Sequence, residues 1–248
     1  MSKRTDSNLY TILFAAGMVL VVGTVLAFFA SALKPTITEN KRIEKQQNIL
    51  YAMGVNENDE SSAIFVSKDK VGTEFTKYIT KQLVIQGTDV TEDTKAYLID
   101  IKKEQTAAKE GKVRRLPLFV GEKDGKTFYI APIRGKGLWD AVWGYVAMDA
   151  NMVVQGAYFD HKGETAGLGA NIKLRFFMDD FTGEHLKKDG SFKGITISKS
   201  NNDPKNNDKT DNEVDAIAGA TITGDGVSAM IKSELRKYVS FFNTLKTN

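Results

Sequence analysis

The stretch "DAIAGATITGDG", residues 215–226, sets two threonine hydroxyls among the small side chains of glycine and alanine. Glycine disfavours a helix interior, and the stretch is too polar for a buried strand. Residues 226–245 then place apolar side chains at three- and four-residue steps, which predicts an amphipathic helix packed on a sheet. The stretch is therefore predicted to be a loop that enters a helix, where unpaired backbone amides favour a phosphate group.

Strand patterns precede this loop from residue 126 onward. The segments KTFYIAPI (126–133), NMVVQGAYFD (151–160) and GITISK (194–199) are rich in β-branched and aromatic residues. Strands followed by packed helices predict an α+β fold for the body of the protein.

The start of the chain has the length and composition of a membrane anchor. Residues 9–33 carry no charge, and a helix of 25 residues crosses a hydrocarbon core of roughly 30 Å. The alternative is a cleaved signal peptide, because "ASA" at residues 30–32 resembles a cleavage site. Apolar regions of signal peptides are usually about 7–15 residues long, so the length favours an uncleaved helix.

The chain is predicted to have three parts. Residues 1–34 form the N-terminal tail and the transmembrane helix. Residues 35–125 contain a juxtamembrane helix, capped by Thr38 and ended by Gly54, and the first part of the soluble domain. Residues 126–248 form the ligand-binding domain. Basic residues lie on both sides of the apolar segment, and long domains translocate largely regardless of charge, so charge leaves the orientation open.

The composition excludes several classes of site. The chain has no cysteine, so it can form no disulfide, thiolate metal site or cysteine nucleophile. A formal net charge of +3 is too small to indicate a nucleic-acid partner. We find no G-x-G-x-x-G turn for NADH, and two distant histidines make a poor metal site. Any redox chemistry must therefore use a bound cofactor, and we assign no catalytic or metal-binding residue.

The two threonines of the loop have different interpretations. Thr221 follows Gly219 and Ala220, whose small side chains allow the backbone to approach a ligand. Thr223 is the better candidate for a helix N-cap or for a neighbour of a phosphate. The interpretation without a ligand is that the loop only caps and turns into the helix.

Asp215, Gly219, Ala220 and Thr221 in "DAIAGAT" resemble the acceptor motif D-x-x-[ST]-G-A-[TS] of FMN-binding domains. This resemblance implies that Thr221 carries FMN through a phosphoester on its hydroxyl. It also implies that a separate flavin transferase attaches the FMN, with FAD as the donor. Ala218 departs from the motif and removes one hydroxyl that could bind the phosphate.

Two further blocks extend the resemblance over nearly the whole chain. "RGKGLWDAVWGYVAM" (134–148) and "HKGETAGLGANI" (161–172) look like those of the C subunits of the sodium-translocating NADH:quinone oxidoreductase, with Ala166 in place of a proline. The family implies a loop near the flavin ring and apolar surface beside it. The loop residues are Glu164, Thr165, Leu168 and Gly169, and the apolar residues are Leu138 and Trp139.

The resemblance implies a membrane-anchored flavoprotein subunit that relays electrons in a complex that oxidises NADH, reduces quinone and pumps sodium. The implied partners are the other subunits of the complex, the flavin transferase and the membrane. The implied location is the bacterial inner membrane, with a single span and the soluble domain in the periplasm. One alternative is the G subunit of the related Rnf electron-transport complex. Another is an anchored, non-redox ligand-binding module. Without a ligand, Trp139 would be a core residue, and Glu164 and Thr165 would be ordinary turn residues.

Overall fold

The computed structural model describes residues 7–59, 62–199, 203 and 205–245. It separates the chain into two compact units, residues 1–43 and residues 44–248. One helix, α1 (Asn8–Ala52), begins in the first unit and ends in the second. An 18-residue window of this helix has a mean hydropathy of 2.6, so the helix is long and apolar enough to cross a membrane.

One prediction about the juxtamembrane region, the cap at Thr38, is wrong. Thr38 does not cap a second helix, because α1 continues through Pro35, and the Thr38 hydroxyl donates to the Lys34 carbonyl at 2.9 Å. A proline inside a helix lacks the backbone donor and crowds the carbonyl four residues earlier, but the hydrogen bonds on either side of Pro35 continue the helix. Gly54 follows the last turn with a φ of +76°, and its amide donates to the Tyr51 carbonyl, as expected for a glycine that ends a helix.

The second unit is built on a six-stranded antiparallel sheet with the order β2-β1-β3-β4-β5-β6. These strands are β1 (Ile79–Gln86), β2 (Asp89–Glu92), β3 (Arg115–Lys123), β4 (Lys126–Lys136), β5 (Ala141–Met148) and β6 (Val154–His161). Two short helices, α2 (Val71–Tyr78) and α3 (Ile101–Lys109), lie between α1 and β3 in the chain. The sequence pattern indicated strands only from residue 126, yet β1–β3 share this sheet. The predicted boundary at residue 125 falls in the turn between β3 and β4.

The remaining elements follow β6. They are a 3-10 turn (Gly169–Lys173), α4 (Arg175–Asp179), the antiparallel pair β7 (Lys187–Lys188) and β8 (Ser191–Phe192), and the parallel pair β9 (Thr196–Ser198) and β10 (Glu213–Asp215). The chain then forms α5 (Thr221–Leu235), a 3-10 turn (Arg236–Tyr238) and α6 (Val239–Thr244). The predicted α+β class is confirmed.

Helices cover both faces of the sheet. A Cβ at Gly135 in β4 would lie 2.7 Å from the Cβ of Met230 in α5, so the absence of a side chain lets this helix pack closely. On β6, a Cβ at Gly156 would meet the Ala52 carbonyl at the end of α1 at 2.5 Å. The pairings Gly135↔Val142 and Ala147↔Gly156 place the two glycines on opposite faces, because side chains alternate along a strand.

Helix α5 begins earlier than its sequence pattern predicted. The expected helix covered residues 226–245, but the chain is helical from Thr221 and changes to a 3-10 turn after Leu235. Gly224 and Gly226 therefore lie inside the helix despite their low helix propensity. A Cβ at Gly224 would contact Ile197, and one at Gly226 would overlap the Lys136 carbonyl. Close packing against neighbouring strands therefore explains glycine at both positions.

Candidate functional site

The first turn of α5 borders a cleft of ≈ 250 Å³ in the second unit. The loop after β6 and the turn between β4 and β5 complete its walls. These segments are far apart in sequence, and the sheet brings them together. The lining residues are Leu138, Glu164, Thr165, Leu168, Gly169, Gly219, Ala220, Thr221, Ile222 and Thr223.

Thr221 and Thr223 lie in different environments at this helix terminus. Ala220 is the N-cap residue, and Thr221 is the first helical residue, within the stretch that was predicted to be a loop. The Thr221 side chain is half-buried and lines the cleft. Thr223 is only 1% exposed, and its hydroxyl donates to Glu164 Oε2 at 2.5 Å. The prediction that Thr223 caps the helix is therefore wrong, because its hydroxyl bonds to a side chain from another segment.

The buried side chain of Glu164 links the three walls of the cleft. Its Oε1 atom accepts hydrogen bonds from the backbone amides of Trp139 at 3.0 Å and Asp140 at 3.5 Å, while Oε2 accepts from Thr223. Burial raises the pKa of the Glu164 carboxyl. The bond from Thr223 and the amides of Trp139, Asp140 and Leu138 outweigh that effect, so the net pKa lies below its ordinary value. Glu164 is therefore ionised at neutral pH and is not an ordinary turn residue.

Small residues in the loop before α5 allow the backbone to pass close to the cleft. Gly219 has a φ of +74°, a conformation that other residues rarely adopt. A Cβ at this position would also lie 2.9 Å from Leu168 Cδ2 in the opposite wall. Ala220 is buried, and Ala218 is exposed. The structure thus brings the GAT segment of the motif directly to the cleft.

Exposed apolar side chains surround the polar floor of the cleft. Leu138, Leu168 and Ile222 are 42%, 40% and 58% exposed. Trp139 is 66% exposed, and its indole Nε1 donates to Thr165 Oγ1 at 3.1 Å, so it is not a core residue. Ile222 was not predicted from the sequence to belong to the site. It is an apolar residue between the two threonines, but it is out of phase with the buried face of α5. That mismatch was the signal in the sequence for an apolar side chain at the cleft.

Trp139, which was predicted to lie beside the ring, does not line the cleft, and neither do Asp215 and His161. Asp215 ends β10, and its amide donates to Asp180 Oδ2 at 3.3 Å. Burial, together with the nearby carboxylates of Asp180 and Asp203, raises the pKa of Asp215. His161 is the last residue of β6, and its Nδ1 accepts the Glu164 amide at 3.1 Å. His161 therefore supports the loop that carries Glu164, whereas the bond of Asp215 is to Asp180, which does not line the cleft. Within the residues that the structure describes, no group of three or more His, Cys, Asp or Glu side chains could hold a metal ion.

The cleft has the chemistry required to hold a phosphorylated, flat aromatic ligand. Helix α5 has 15 residues, and its first bonded amide is that of Gly224, which donates to the Ala220 carbonyl. The amides before it have no acceptor within the helix and lie at the positive end of the helix dipole, which favours a phosphate. The apolar rim offers surface to an aromatic ring, and Thr221 offers a hydroxyl beside the helix terminus. These residues fit FMN.

Comparisons with known proteins agree with this fit. Residues 137–236 match the family model described as FMN-binding domain, a region that includes all three walls of the cleft. The chain is 30% identical over 256 residues to the C subunit of the Na(+)-translocating NADH-quinone reductase of Pseudomonas aeruginosa, over 94% of this chain and 93% of that protein. This protein belongs to the family of these C subunits.

Solved structures of C subunits of this reductase have the same fold. The crystal structure of the C subunit from Parabacteroides distasonis is 31% identical, with a TM-score of 0.70 over 85% of this chain and 96% of that one. NqrC from Shewanella oneidensis is 26% identical, with a TM-score of 0.66 over 84% of this chain and 99% of that one. These relatives support the prediction of a C subunit over the alternative of an Rnf G subunit.

Proposed function

We propose that Thr221 carries FMN through a phosphoester bond, and that this protein relays electrons within a sodium-translocating NADH:quinone oxidoreductase. The observation that carries the proposal is the contrast between the two threonines. The Thr221 side chain lines the cleft at the start of α5, whereas the Thr223 hydroxyl is buried and bonded to Glu164. FMN-binding domain homology and the relatives among the C subunits support FMN as the ligand.

Attachment of the flavin requires FAD and a flavin transferase. The Thr221 hydroxyl oxygen attacks the phosphorus on the flavin side of the FAD pyrophosphate. A threonine O–P bond forms, the P–O–P bond breaks, AMP leaves, and the hydroxyl proton passes to a base of the transferase or to water. The step transfers no electrons. Gly219 is exposed and carries no side chain that could hinder the donor near Thr221.

The residues around Thr221 hold and orient the cofactor. FMN supplies one- and two-electron redox chemistry when it is bound. The amides of the first turn of α5 would hold the phosphate, and Leu138, Leu168 and Ile222 would present apolar side chains to the ring. Glu164 is bonded to residues of the neighbouring walls of the cleft and holds a negative charge at their base. A covalent tether keeps the cofactor from dissociating where free FMN is scarce.

The N-terminal helix and the resemblance support a proposal for the membrane placement. We propose that α1 anchors the chain in the bacterial inner membrane as a single span and that the soluble domain lies in the periplasm. The partners are the other subunits of the complex. No acidic side chain lies within residues 9–33, so this span alone is a poor conduit for sodium.

The proposal predicts which threonine variant loses its flavin. Thr221→Val and Thr223→Val are expressed with the flavin transferase, denatured, and tested for flavin fluorescence in the gel. We expect the Thr221→Val band to be dark, because valine offers no hydroxyl, and the Thr223→Val band to fluoresce. The reverse pattern would move the linkage to Thr223, and fluorescence from both bands would place it elsewhere. A dark wild-type band would favour the alternative of a non-redox binding module.

A further inference from the structure

Three segments that are remote in sequence meet at one carboxylate. The turn between β4 and β5 contributes the amides of Trp139 and Asp140, the loop after β6 contributes Glu164, and α5 contributes the Thr223 hydroxyl. We call these four groups the Glu164 latch. Each segment also supplies residues to the lining of the cleft, so the latch fixes the walls relative to one another.

The latch is buried although it borders the cleft. Glu164 is 6% exposed and Thr223 is 1% exposed. A Cβ at Gly137 would lie 2.5 Å from Glu164 Oε1, and one at Gly169 would overlap Thr223 Oγ1 and lie 2.7 Å from Glu164 Oε2. Only glycine at these two positions leaves room for the carboxylate. The Glu164 carboxylate therefore lies at the buried floor of the cleft, and its two oxygens are bonded to residues of the neighbouring walls.

The position of Thr223 links this carboxylate to the flavin acceptor. Thr223 lies two residues after Thr221 in the first turn of α5. Side chains two positions apart on a helix point in different directions. When the Thr223 side chain is held inward by Glu164, the rotation of this turn about its axis is fixed, and the Thr221 side chain is directed to the cleft. A hydrogen bond to a buried carboxylate is strong enough to hold a helix terminus that would otherwise fray.

We infer that Glu164 is a positioning residue for flavin attachment: through the hydroxyl of Thr223, it holds Thr221 in the orientation that accepts the flavin phosphate. This inference rests on the proposed function of Thr221. It goes beyond that proposal by assigning Glu164 and Thr223 to the maturation of the site instead of to contact with the flavin ring.

The test measures the initial rate of flavin transfer to the full-length apoprotein, with purified flavin transferase and FAD. Thr223→Val replaces the hydroxyl with a methyl group and leaves Glu164 Oε2 without its donor. We expect its transfer rate to fall by roughly tenfold, because a hydrogen bond to a charged group is lost. Thr223→Ser keeps the hydroxyl and restores the rate. Glu164→Ala has an effect similar to that of Thr223→Val, and the double variant is no slower than Glu164→Ala alone.

Ser228→Ala is the matched control for a general loss of stability. Ser228 is also buried in α5, where its hydroxyl accepts the Ile197 amide at 2.8 Å and donates to the Gly224 carbonyl at 3.0 Å, but it has no part in the latch. At a temperature where every variant is folded, Ser228→Ala should accept flavin at the wild-type rate. A wild-type rate for Thr223→Val, or an equal loss in Ser228→Ala, would overturn the inference. Covalent transfer of flavin to Thr221→Val would instead overturn the proposed function.

Discussion

The buried side chain of Glu184 makes the stability of the domain depend on pH. Glu184 is 0% exposed, and its Oε1 lies 3.6 Å from the Lys209 ammonium. Burial raises the pKa of its carboxyl from 4.5 to about 7. The positive charge of Lys209 opposes that rise, and the negative charge of Asp211 adds to it. The folded protein therefore keeps this carboxyl protonated at pH values where the unfolded chain releases the proton.

The size of the effect follows from the two pKa values. A shift of one pKa unit corresponds to about 1.36 kcal/mol, so the change from 4.5 to about 7 corresponds to about 3 kcal/mol. Because the pKa is raised on folding, the stabilising contribution is complete below pH 4.5 and is lost as the pH rises to about 7. Glu184→Gln keeps the shape of the neutral acid and cannot ionise. We therefore expect this variant to gain stability over the wild type by about 3 kcal/mol between pH 4.5 and pH 8.

The assay is urea denaturation of both proteins in the same detergent at several pH values, followed by tryptophan fluorescence. The relevant quantity is the difference in the free energy of unfolding between variant and wild type, because other groups titrate equally in both. Glu122→Gln, at an exposed position in β3, is the control and should show a constant difference. The reasoning is refuted if the Glu184→Gln difference is also constant across this range, because Glu184 would then titrate alike in both states.

Two further predictions concern the ring surface and the membrane orientation. Leu168→Asp puts a charge on the apolar rim of the cleft. We expect covalent flavin to remain, while the reduction potential of the flavin and the quinone-reductase turnover fall. The control is Leu174→Asp, at a similarly exposed leucine outside the cleft lining. An unchanged potential in Leu168→Asp would remove that residue from the site. If the domain is periplasmic, a protease added to intact spheroplasts should cleave it, and the protein isolated from membranes should retain residues 9–33. Protection until lysis would place the domain in the cytoplasm, and an N-terminus near residue 33 would indicate a cleaved signal peptide.

The sequence alone determined the anchor, the fold class and the position of the acceptor motif. The uncharged residues 9–33 indicate a membrane helix because their length matches a bilayer core. The motif ending at Thr221 marked the loop that borders the cleft. These features are readable from the sequence because each depends on neighbouring residues along the chain.

Only the tertiary structure shows the contacts of Thr223, Glu164 and the two glycines inside α5. Thr223 had the sequence features of a cap, but its hydroxyl is bonded to a carboxylate 59 positions away. Gly224 and Gly226 have low helix propensity, yet both lie inside α5, where Ile197 and the Lys136 carbonyl leave no room for a side chain. Contacts between segments that are remote in the chain outweigh local propensities of about 1 kcal/mol per residue. Such contacts leave no periodic signal in the sequence, so only the folded sheet could place these residues around the cleft.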